Sequence, residues 1–115
     1  MTILHGIPNC DTVKKARHWL TENGHPYRFH DFRKDGIQPE HVTRWHAALG
    51  DRLINRKGTT WRALDAAAQA AAAEPAGAQA LVLAQPALIR RPLVEWPDGS
   101  ITAGFDAADW AGRLA

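Results

Sequence analysis

The amino-acid sequence predicts an α/β fold built on a mixed four-stranded sheet, and three stretches of the chain indicate it. Residues 1–33 have the pattern of a strand, a helix and a second strand, the middle of the chain is helical, and the end returns to strands. Two strands joined through a helix within about 30 residues normally run parallel, with a right-handed connection. A terminal hairpin adds antiparallel strands, so we expect a mixed sheet.

The first strand–helix–strand unit is predicted from hydrophobic periodicity. Thr2–His5 is a short apolar run, and the loop-forming residues Gly6–Asn9 end it. From Asp11 to Leu20, apolar side chains recur at the three- and four-residue spacing of a helix, and Asn23-Gly24 supplies its stop. Tyr27–Phe32 alternates aromatic and polar residues and is predicted to be the second strand.

The middle of the chain is predicted to be helical as far as Ala84. The predicted segments are a helix from Pro39 to Gly50, a polar loop over Asp51–Thr60, an alanine-rich helix over Trp61–Ala73 and a short helix ending near Ala84. Pro75 and Gly77 interrupt the helical pattern between the last two. Alanine has the highest helix propensity of all residues, so the alanine content indicates helix and not low complexity.

The end of the chain has the pattern of a hairpin followed by a helix. The predicted strands are Pro92–Trp96 and Ile101–Ala103, with a turn over Pro97–Ser100. Asp106 and Asp109 then resemble a capping box that opens a last helix, with Trp110 and Leu114 facing inward. The tryptophans are expected to serve the core; they are Trp19, Trp45, Trp61, Trp96 and Trp110.

Composition and charge exclude several classes of protein. The chain has 115 residues, a formal charge of +2, 45% hydrophobic residues and 23% charged residues, which is the balance of one folded domain. So small a charge does not favour direct nucleic-acid binding, and no apolar run reaches the about 20 residues of a membrane span. The first residues lack the pattern of a signal peptide, so we expect a cytoplasmic protein. The six histidines have no zinc-ligand spacing, and we expect no metal site.

Cys10 is the candidate catalytic residue, and it is the single cysteine of the sequence. It lies between the end of a predicted strand and the start of a predicted helix, where unpaired backbone N–H groups and the helix dipole favour a thiolate. Lys14, Lys15 and His5 would add positive potential. Thr12 either donates its hydroxyl to the sulfur or caps the helix. The alternative for Cys10 itself is a small buried core residue.

Two basic positions far from Cys10 in the sequence are candidates for holding an anion. Arg56 lies in the polar loop before the alanine-rich helix, and Arg91 precedes Pro92 at the start of a strand. A guanidinium group binds a carboxylate or an oxyanion through two parallel hydrogen bonds. The alternative for Arg56 is a solvated basic loop, and spacing alone gives Arg91 no definite role.

Three blocks of the sequence match one known family in order and spacing. They are Gly6-Ile7-Pro8-Asn9-Cys10-Asp11-Thr12-Val13-Lys14-Lys15-Ala16-Arg17, then Asn55-Arg56-Lys57-Gly58-Thr59-Thr60-Trp61-Arg62-Ala63-Leu64, then Gln85-Pro86-Ala87-Leu88-Ile89-Arg90-Arg91-Pro92-Leu93-Val94. The closing Gly104-Phe105-Asp106 agrees as well. Together these blocks, which cover almost the whole chain, resemble the arsenate reductase ArsC / Spx family in its YffB-like branch.

The resemblance implies a thioredoxin-like fold in a single domain, residues 1–115. Residues 1–33 and 86–115 would form the thioredoxin-like core, and residues 37–85 would be a helical insertion between the second and third strands. The resemblance also implies a cis peptide bond before Pro92 and a catalytic role for Cys10.

The resemblance further assigns roles to the two arginines. By matching positions, Arg56 and Arg91 correspond to the family arginines that bind the oxyanion or the glutathione-linked substrate. The family's third arginine, after the last hairpin, is replaced here by Gly104. We therefore expect arsenate reduction to be weak or absent.

A single cysteine determines which chemistry we expect. An adduct left on Cys10 has no second cysteine in the sequence to resolve it, so an external thiol must do so, and glutathione is plentiful in a cytosol. We therefore expect a glutathione-dependent reductase that acts on a small oxidised or thiol-linked substrate, with no tightly bound cofactor and with glutaredoxin as a further partner. The residues expected to contact glutathione are Arg56, Arg91, Pro92 and Asn9.

The alternative function is a protein-interaction module without catalysis. The Spx branch is a redox-sensing partner of RNA polymerase and commonly carries a second cysteine three residues after the first, where this chain has Val13. We therefore expect no disulfide switch here, while binding to RNA polymerase or another protein stays open. A third alternative is a lapsed enzyme in which Cys10 is structural.

Overall fold

The structure is a computed structural model that describes residues 1–114, and the chain forms two compact units. The first unit consists of Met1–Asp35 together with the chain from Arg91 onward, and the second is Gly36–Arg90. The helices are α1 (Asp11–Glu22), α2 (Phe32–Asp35), α3 (Pro39–Leu49), α4 (Thr59–Arg62), α5 (Ala66–Ala71), α6 (Pro75–Ala84) and α7 (Ala107–Leu114). Among residues 1–114, no helix combines the length and the hydrophobicity needed to cross a membrane. The single-domain arrangement with an insertion at 37–85 stays a prediction.

The first unit contains the mixed four-stranded sheet that the sequence predicts. Its strands are β1 (Thr2–Gly6), β2 (Tyr27–Asp31), β3 (Leu93–Glu95) and β4 (Ile101–Ala103), in the order β2-β1-β3-β4. β1 and β2 run parallel, whereas β3 is antiparallel to both β1 and β4. The parallel pair is joined through α1, which is the crossover that parallel strands require.

One face of the sheet packs against α1 and α7. The apolar stripe of α1 buries Val13, Ala16 and Leu20 against Leu4 of β1, in agreement with the predicted helix. Trp110 of α7 is buried in the same cluster, and edge-to-face ring contacts join it to Trp19, Trp96 and Phe105. Such aromatic contacts contribute beyond the area that they bury. This packing fixes α1, and therefore its first residue, against the sheet.

The second strand ends one residue earlier than the sequence predicts. Phe32 is buried, but it begins α2 instead of ending β2. The reason is Asp31, whose Oδ1 accepts the backbone N–H of Arg33 at 2.9 Å and that of Lys34 at 3.4 Å. An aspartate that accepts such bonds favours the start of a helix. The alternation of apolar and polar residues does not indicate this helix start.

The C-terminal hairpin and helix confirm the prediction, although β3 is one residue shorter at each end than the predicted Pro92–Trp96. Across the turn, the Trp96 N–H donates to the Ser100 carbonyl at 2.9 Å, and Asp98 Oδ1 accepts the hydroxyl of Ser100 at 2.6 Å and its N–H at 2.9 Å. The Ser100 hydroxyl above all, and then its N–H, hold the pKa of Asp98 below its ordinary value. Asp106 Oδ1 accepts the Asp109 N–H at 3.1 Å and so caps α7.

The second unit is helical, with α3 packed against α6. Thr43 Oγ1 donates to Gln79 Oε1 at 3.3 Å between the two helices. The buried apolar side chains of this unit include Val42, Trp45, Leu49, Leu53, Ile54, Ala78, Val82, Leu88 and Ile89. An isolated antiparallel bridge between Ile54 and Ile89 ties the segment before α4 to the end of the unit.

The predicted helix over Trp61–Ala73 is wrong, because the segment forms two helices, α4 and α5. Asp65 Oδ1 accepts the Ala68 N–H at 2.8 Å and thereby starts the second helix. Gly77 does not interrupt the pattern either, since it lies inside α6. A Cβ at Gly77 would collide with the backbone oxygen of Ala71, so close approach of α5 explains this glycine.

The predicted polar loop over Asp51–Thr60 is also wrong at both ends. A 3-10 turn occupies Gly50–Leu53, and α4 already begins at Thr59. Leu53 and Ile54 are buried, so this segment contributes to the core of its unit.

Candidate active site

The candidate site lies where β1 ends and β3 begins. In the antiparallel register His5 is opposite Leu93, so one step further Gly6 faces Pro92. The loop after Gly6 therefore leaves β1 at the same end of the sheet at which the chain enters β3 from Arg91. The segments at this end of the sheet carry five of the predicted site residues, namely Asn9, Cys10, Thr12, Arg91 and Pro92.

Cys10 occupies the N-cap position of α1. Its backbone is extended, with φ −99° and ψ 125°, and its carbonyl accepts the Lys14 N–H at 2.9 Å. The backbone N–H groups of the first helical turn face this end of the helix without intrahelical partners. The residue packs against the core cluster beneath α1 but is partly exposed. The alternative of a fully buried core cysteine is therefore wrong.

Close packing between Gly6 and Val13 positions the start of α1. A Cβ on Gly6 would lie 2.8 Å from Cγ2 of Val13, closer than real atoms approach, so only glycine lets the helix come this near the strand. Val13 itself is fully buried. The position at which the Spx branch carries its second cysteine thus belongs to the core of this chain.

Asn9 and Thr12 lie on either side of Cys10 and are both exposed. Thr12 is the second residue of α1, so the alternative that it caps the helix is wrong, since Cys10 holds that position. Contact of the Thr12 hydroxyl with the sulfur, and of Asn9 with glutathione, stay predictions.

The peptide bond between Arg91 and Pro92 is cis, as the resemblance implies. Arg91 is partly exposed and Pro92 is buried. The Pro92 carbonyl accepts the Gly104 N–H at 2.9 Å, which joins the start of β3 to the end of β4. Gly104 has a φ of +86°, a backbone conformation that side chains rarely adopt. The glycine that replaces the family's third arginine is therefore explained by the backbone.

Arg56 belongs to the second unit, and neighbours within that unit hold it. Its guanidinium carbon lies 5.1 Å from the centre of the Trp61 ring, within cation–π range, and its Nη2 lies 3.8 Å from Asp51 Oδ1. Asn55 Oδ1 accepts the Lys57 N–H at 3.1 Å, which fixes the loop that carries the arginine. Its position relative to the candidate sulfur stays a prediction.

His5 is buried on the other face of the sheet, where it contacts Glu95. It is 2% exposed, its Nε2 lies 2.7 Å from Glu95 Oε2, and its ring centre lies 4.8 Å from that of His30. Strand alternation places these side chains on the face opposite Leu4 and α1. Sequence reasoning missed Glu95, because no local pattern links residues 90 positions apart. Within residues 1–114, no three His, Cys, Asp or Glu side chains are arranged to hold a metal ion.

Comparison with known proteins gives one family. The ArsC family matches residues 5–112 of this chain. An uncharacterised protein of Haemophilus influenzae is 34% identical over 116 residues and is covered over 100% of its length, as is this chain.

Solved structures share the fold. A structure of a YFFB protein has a TM-score of 0.94 and 45% identity, over 100% of both chains. The solution structure of an arsenate reductase (ArsC) related protein from Brucella melitensis has a TM-score of 0.78 and 38% identity, over 98% of this chain and 93% of that one. The arsenate reductase from Vibrio cholerae, at 17% identity and a TM-score of 0.72 over 98% and 97% of the two chains, is similar in fold alone. The thioredoxin-like fold expected from the resemblance is thereby confirmed.

Proposed function

The chain belongs to the ArsC family, and from that premise we propose that it is a thiol reductase with Cys10 as nucleophile and glutathione as resolving thiol. One observation carries the proposal, namely that Cys10 is a partly exposed N-cap residue of α1. A helix N-terminus stabilises negative charge, and the thiolate is the reactive form of cysteine. The Brucella melitensis relative is named for its relation to arsenate reductase, which agrees with a redox function.

The single cysteine determines the order of bond changes. The Cys10 thiolate attacks the glutathione sulfur of a mixed disulfide, the bond to the substrate sulfur breaks, and the substrate thiolate leaves and takes a proton. Cys10 then carries a disulfide to glutathione. The thiolate of a second glutathione attacks the glutathione sulfur of that adduct, which releases oxidised glutathione and restores the Cys10 thiolate. Each cycle consumes one glutathione and one mixed disulfide and yields one thiol and one oxidised glutathione.

The two predicted arginines would bind glutathione through its carboxylates. Arg91 is partly exposed and precedes β3 at the end of the sheet where the chain leaves β1 towards Cys10, which supports the proposal that its guanidinium binds an anion near the sulfur. Arg56 is oriented within its own unit by Trp61 and Asp51. A guanidinium held in one orientation loses less entropy when it binds a carboxylate. Asn9 and Pro92 complete the contacts we propose.

The same chemistry suggests where the protein acts and with what. Glutathione is plentiful in the cytosol, so we propose a cytoplasmic protein. Glutaredoxin is the partner we propose for removing glutathione from Cys10 when glutathione alone is slow. Arsenate is expected to be a poor substrate, because Gly104 contributes no guanidinium to the oxyanion.

The test is reduction of a glutathionylated peptide with glutathione, with oxidised glutathione followed by a coupled reductase. The wild-type protein should turn over, Cys10→Ser should be inactive, and amide NMR spectra should show that the variant keeps its fold. Mass spectrometry should find a glutathione adduct on the wild-type protein and none on Cys10→Ser. An active Cys10→Ser protein, or a wild-type protein without activity or adduct, would contradict the proposal.

The arginines are tested separately by calorimetric titration with glutathione. Each exposed charge pair contributes about 1 kcal/mol, or somewhat more if bidentate, so Arg56→Ala and Arg91→Ala should each weaken binding several-fold to about tenfold. Lys57→Ala is the matched control, since it removes an equal charge from the residue next to Arg56. If neither arginine variant differs from that control, glutathione binds elsewhere.

A further inference from the structure

We propose that the outer edge of β2 binds an acidic segment of a partner protein in extended conformation. Among the residues that the structure describes, the sheet order leaves β2 with a neighbouring strand on one side only. This surface is separate from the chemistry of Cys10, and the proposal does not depend on it. Three observations carry it, namely the direction of the backbone groups of β2, the charges beside them, and the cations on both faces of the strand.

The backbone of Phe29 points away from the sheet. The Asp31 N–H donates to Asp35 Oδ2 at 3.0 Å, so this amide faces outward and not towards β1. In a strand the N–H and C=O groups of every second residue point to the same side, so those of Phe29 and Tyr27 also face outward. They are the groups with which an added strand would pair.

The register of the sheet gives the same direction independently. The Pro92 carbonyl accepts the Gly104 N–H and therefore points towards β4. The N–H and C=O groups of the next residue, Leu93, then point towards β1, where Leu93 is opposite His5. Those of Leu4, one residue before His5, must point to the other side, towards β2, where Leu4 is opposite Phe29. In a parallel pair such a residue bonds the two flanking positions and not the one it faces, which leaves the Phe29 groups on the open side.

A cleft of about 500 Å³ beside this edge is lined mostly by polar residues. The lining residues are Arg28, Phe29, His30, Lys34 and Asp35. Arg28 and Lys34 are exposed, whereas the Asp35 carboxylate already accepts a backbone N–H. Sites for small organic ligands are mostly apolar, so this lining favours a polar, anionic occupant.

Cations lie on both faces of the edge strand. Strand alternation places Arg28 on the face opposite α1, and on the α1 face the Arg17 guanidinium lies 4.1 Å from the Phe29 ring centre and its Nε donates to Tyr27 Oη at 3.0 Å. An added strand alternates its own side chains, so acidic residues on either face meet a cation, and opposite charges across strands stabilise pairing. A second copy of β2 would bring like charges together. The occupant is therefore an acidic partner and not another copy of this chain.

The probe is the blocked peptide acetyl-Glu-Val-Glu-Val-Glu-Val-amide, added to the isotope-labelled full-length protein. At saturating peptide, hydrogen exchange of the Phe29 amide should slow at least tenfold, while that of the Leu4 amide, already bonded within the sheet, should not change. A peptide that is N-methylated at every residue, which has no backbone N–H left to donate along either edge, should leave the Phe29 amide unprotected. Unchanged exchange at Phe29, or equal protection by the methylated peptide, would overturn strand pairing.

Charge is tested with matched variants and a matched peptide. Arg28→Glu combined with Lys34→Glu should weaken the acidic peptide roughly five- to tenfold or more, and the lysine counterpart of the peptide should not bind the wild-type protein. Lys14→Glu combined with Lys15→Glu is the control, since it makes two charge reversals on exposed residues of α1. Equal binding of the two peptides, or an equal effect of the control, would refute the acidic partner.

Discussion

Replacing Gly104 with alanine is expected to destabilise the first unit, because the backbone there has a φ of +86°. A residue with a Cβ in the left-handed region costs about 1–2 kcal/mol relative to glycine. The bond from the residue-104 N–H to the Pro92 carbonyl, 2.9 Å in length, is kept in the variant, so the loss reports backbone strain. Gly104→Arg should lose a similar amount, although it returns the guanidinium that the family carries.

The assay is equilibrium unfolding in urea, and the chain offers a control of opposite sign. Gly112 lies inside α7, where a Cβ would meet no atom of residues 1–114 within 4 Å outside the backbone of its own helix. Alanine in a helix interior is favoured over glycine by roughly 0.5–1 kcal/mol, so Gly112→Ala should raise the free energy of unfolding while Gly104→Ala lowers it. A neutral or stabilising Gly104→Ala would refute the reasoning. So would a Gly104→Arg protein as stable as the wild type.

Three further predictions concern the core, the arginine loop and the hairpin. Trp110→Ala should lower the free energy of unfolding by about 3–5 kcal/mol, measured in urea, because Trp110 is 1% exposed. Trp61→Leu should weaken glutathione binding about two- to fivefold in calorimetry, since a cation–π contact with Arg56 is worth roughly 0.5–1 kcal/mol; unchanged affinity would show that Trp61 does not orient the arginine. The Ser100 hydroxyl lowers the pKa of Asp98 in the folded state from the ordinary value of 3.8. The ionised carboxylate therefore stabilises the hairpin at pH values above 3.8, and this stabilisation is lost as the pH falls through the lowered pKa. Carboxyl NMR titration should show a midpoint below that of the unfolded chain, and Ser100→Ala should raise it.

The fold was predictable wherever one strong local pattern dominated. The apolar stripe that buries Val13, Ala16 and Leu20 predicts α1, and the turn residues around Gly99 predict the hairpin. Prediction failed where one polar side chain decided the structure. Asp31 and Asp65 each accept a backbone N–H and start a helix, in places where periodicity indicates a continuing strand and a continuing helix.

The candidate site was predictable to a different extent. Cys10 could be placed at a helix start from the sequence, because the residues around it mark both the strand end and the helix. The residues that contact His5 and Arg56 could not be predicted. Glu95 beside His5 and Trp61 beside Arg56 depend on how the chain folds back, and spacing carries no sign of them.

Position 13 connects the packing of the core with the chemistry proposed for the site. A chain that switches by an internal disulfide needs a second thiol near Cys10, and one helical turn further on is where the Spx branch places it. Here that position is Val13, which is fully buried. It packs so closely against Gly6 that a Cβ added to Gly6 would lie 2.8 Å from Cγ2 of Val13. The side chain of Val13, which fixes the start of α1 against β1, therefore occupies the position at which an internal resolving thiol would lie. In the reaction we propose, an adduct on Cys10 is removed by a second molecule, and the partial exposure of Cys10 is consistent with access for such a molecule.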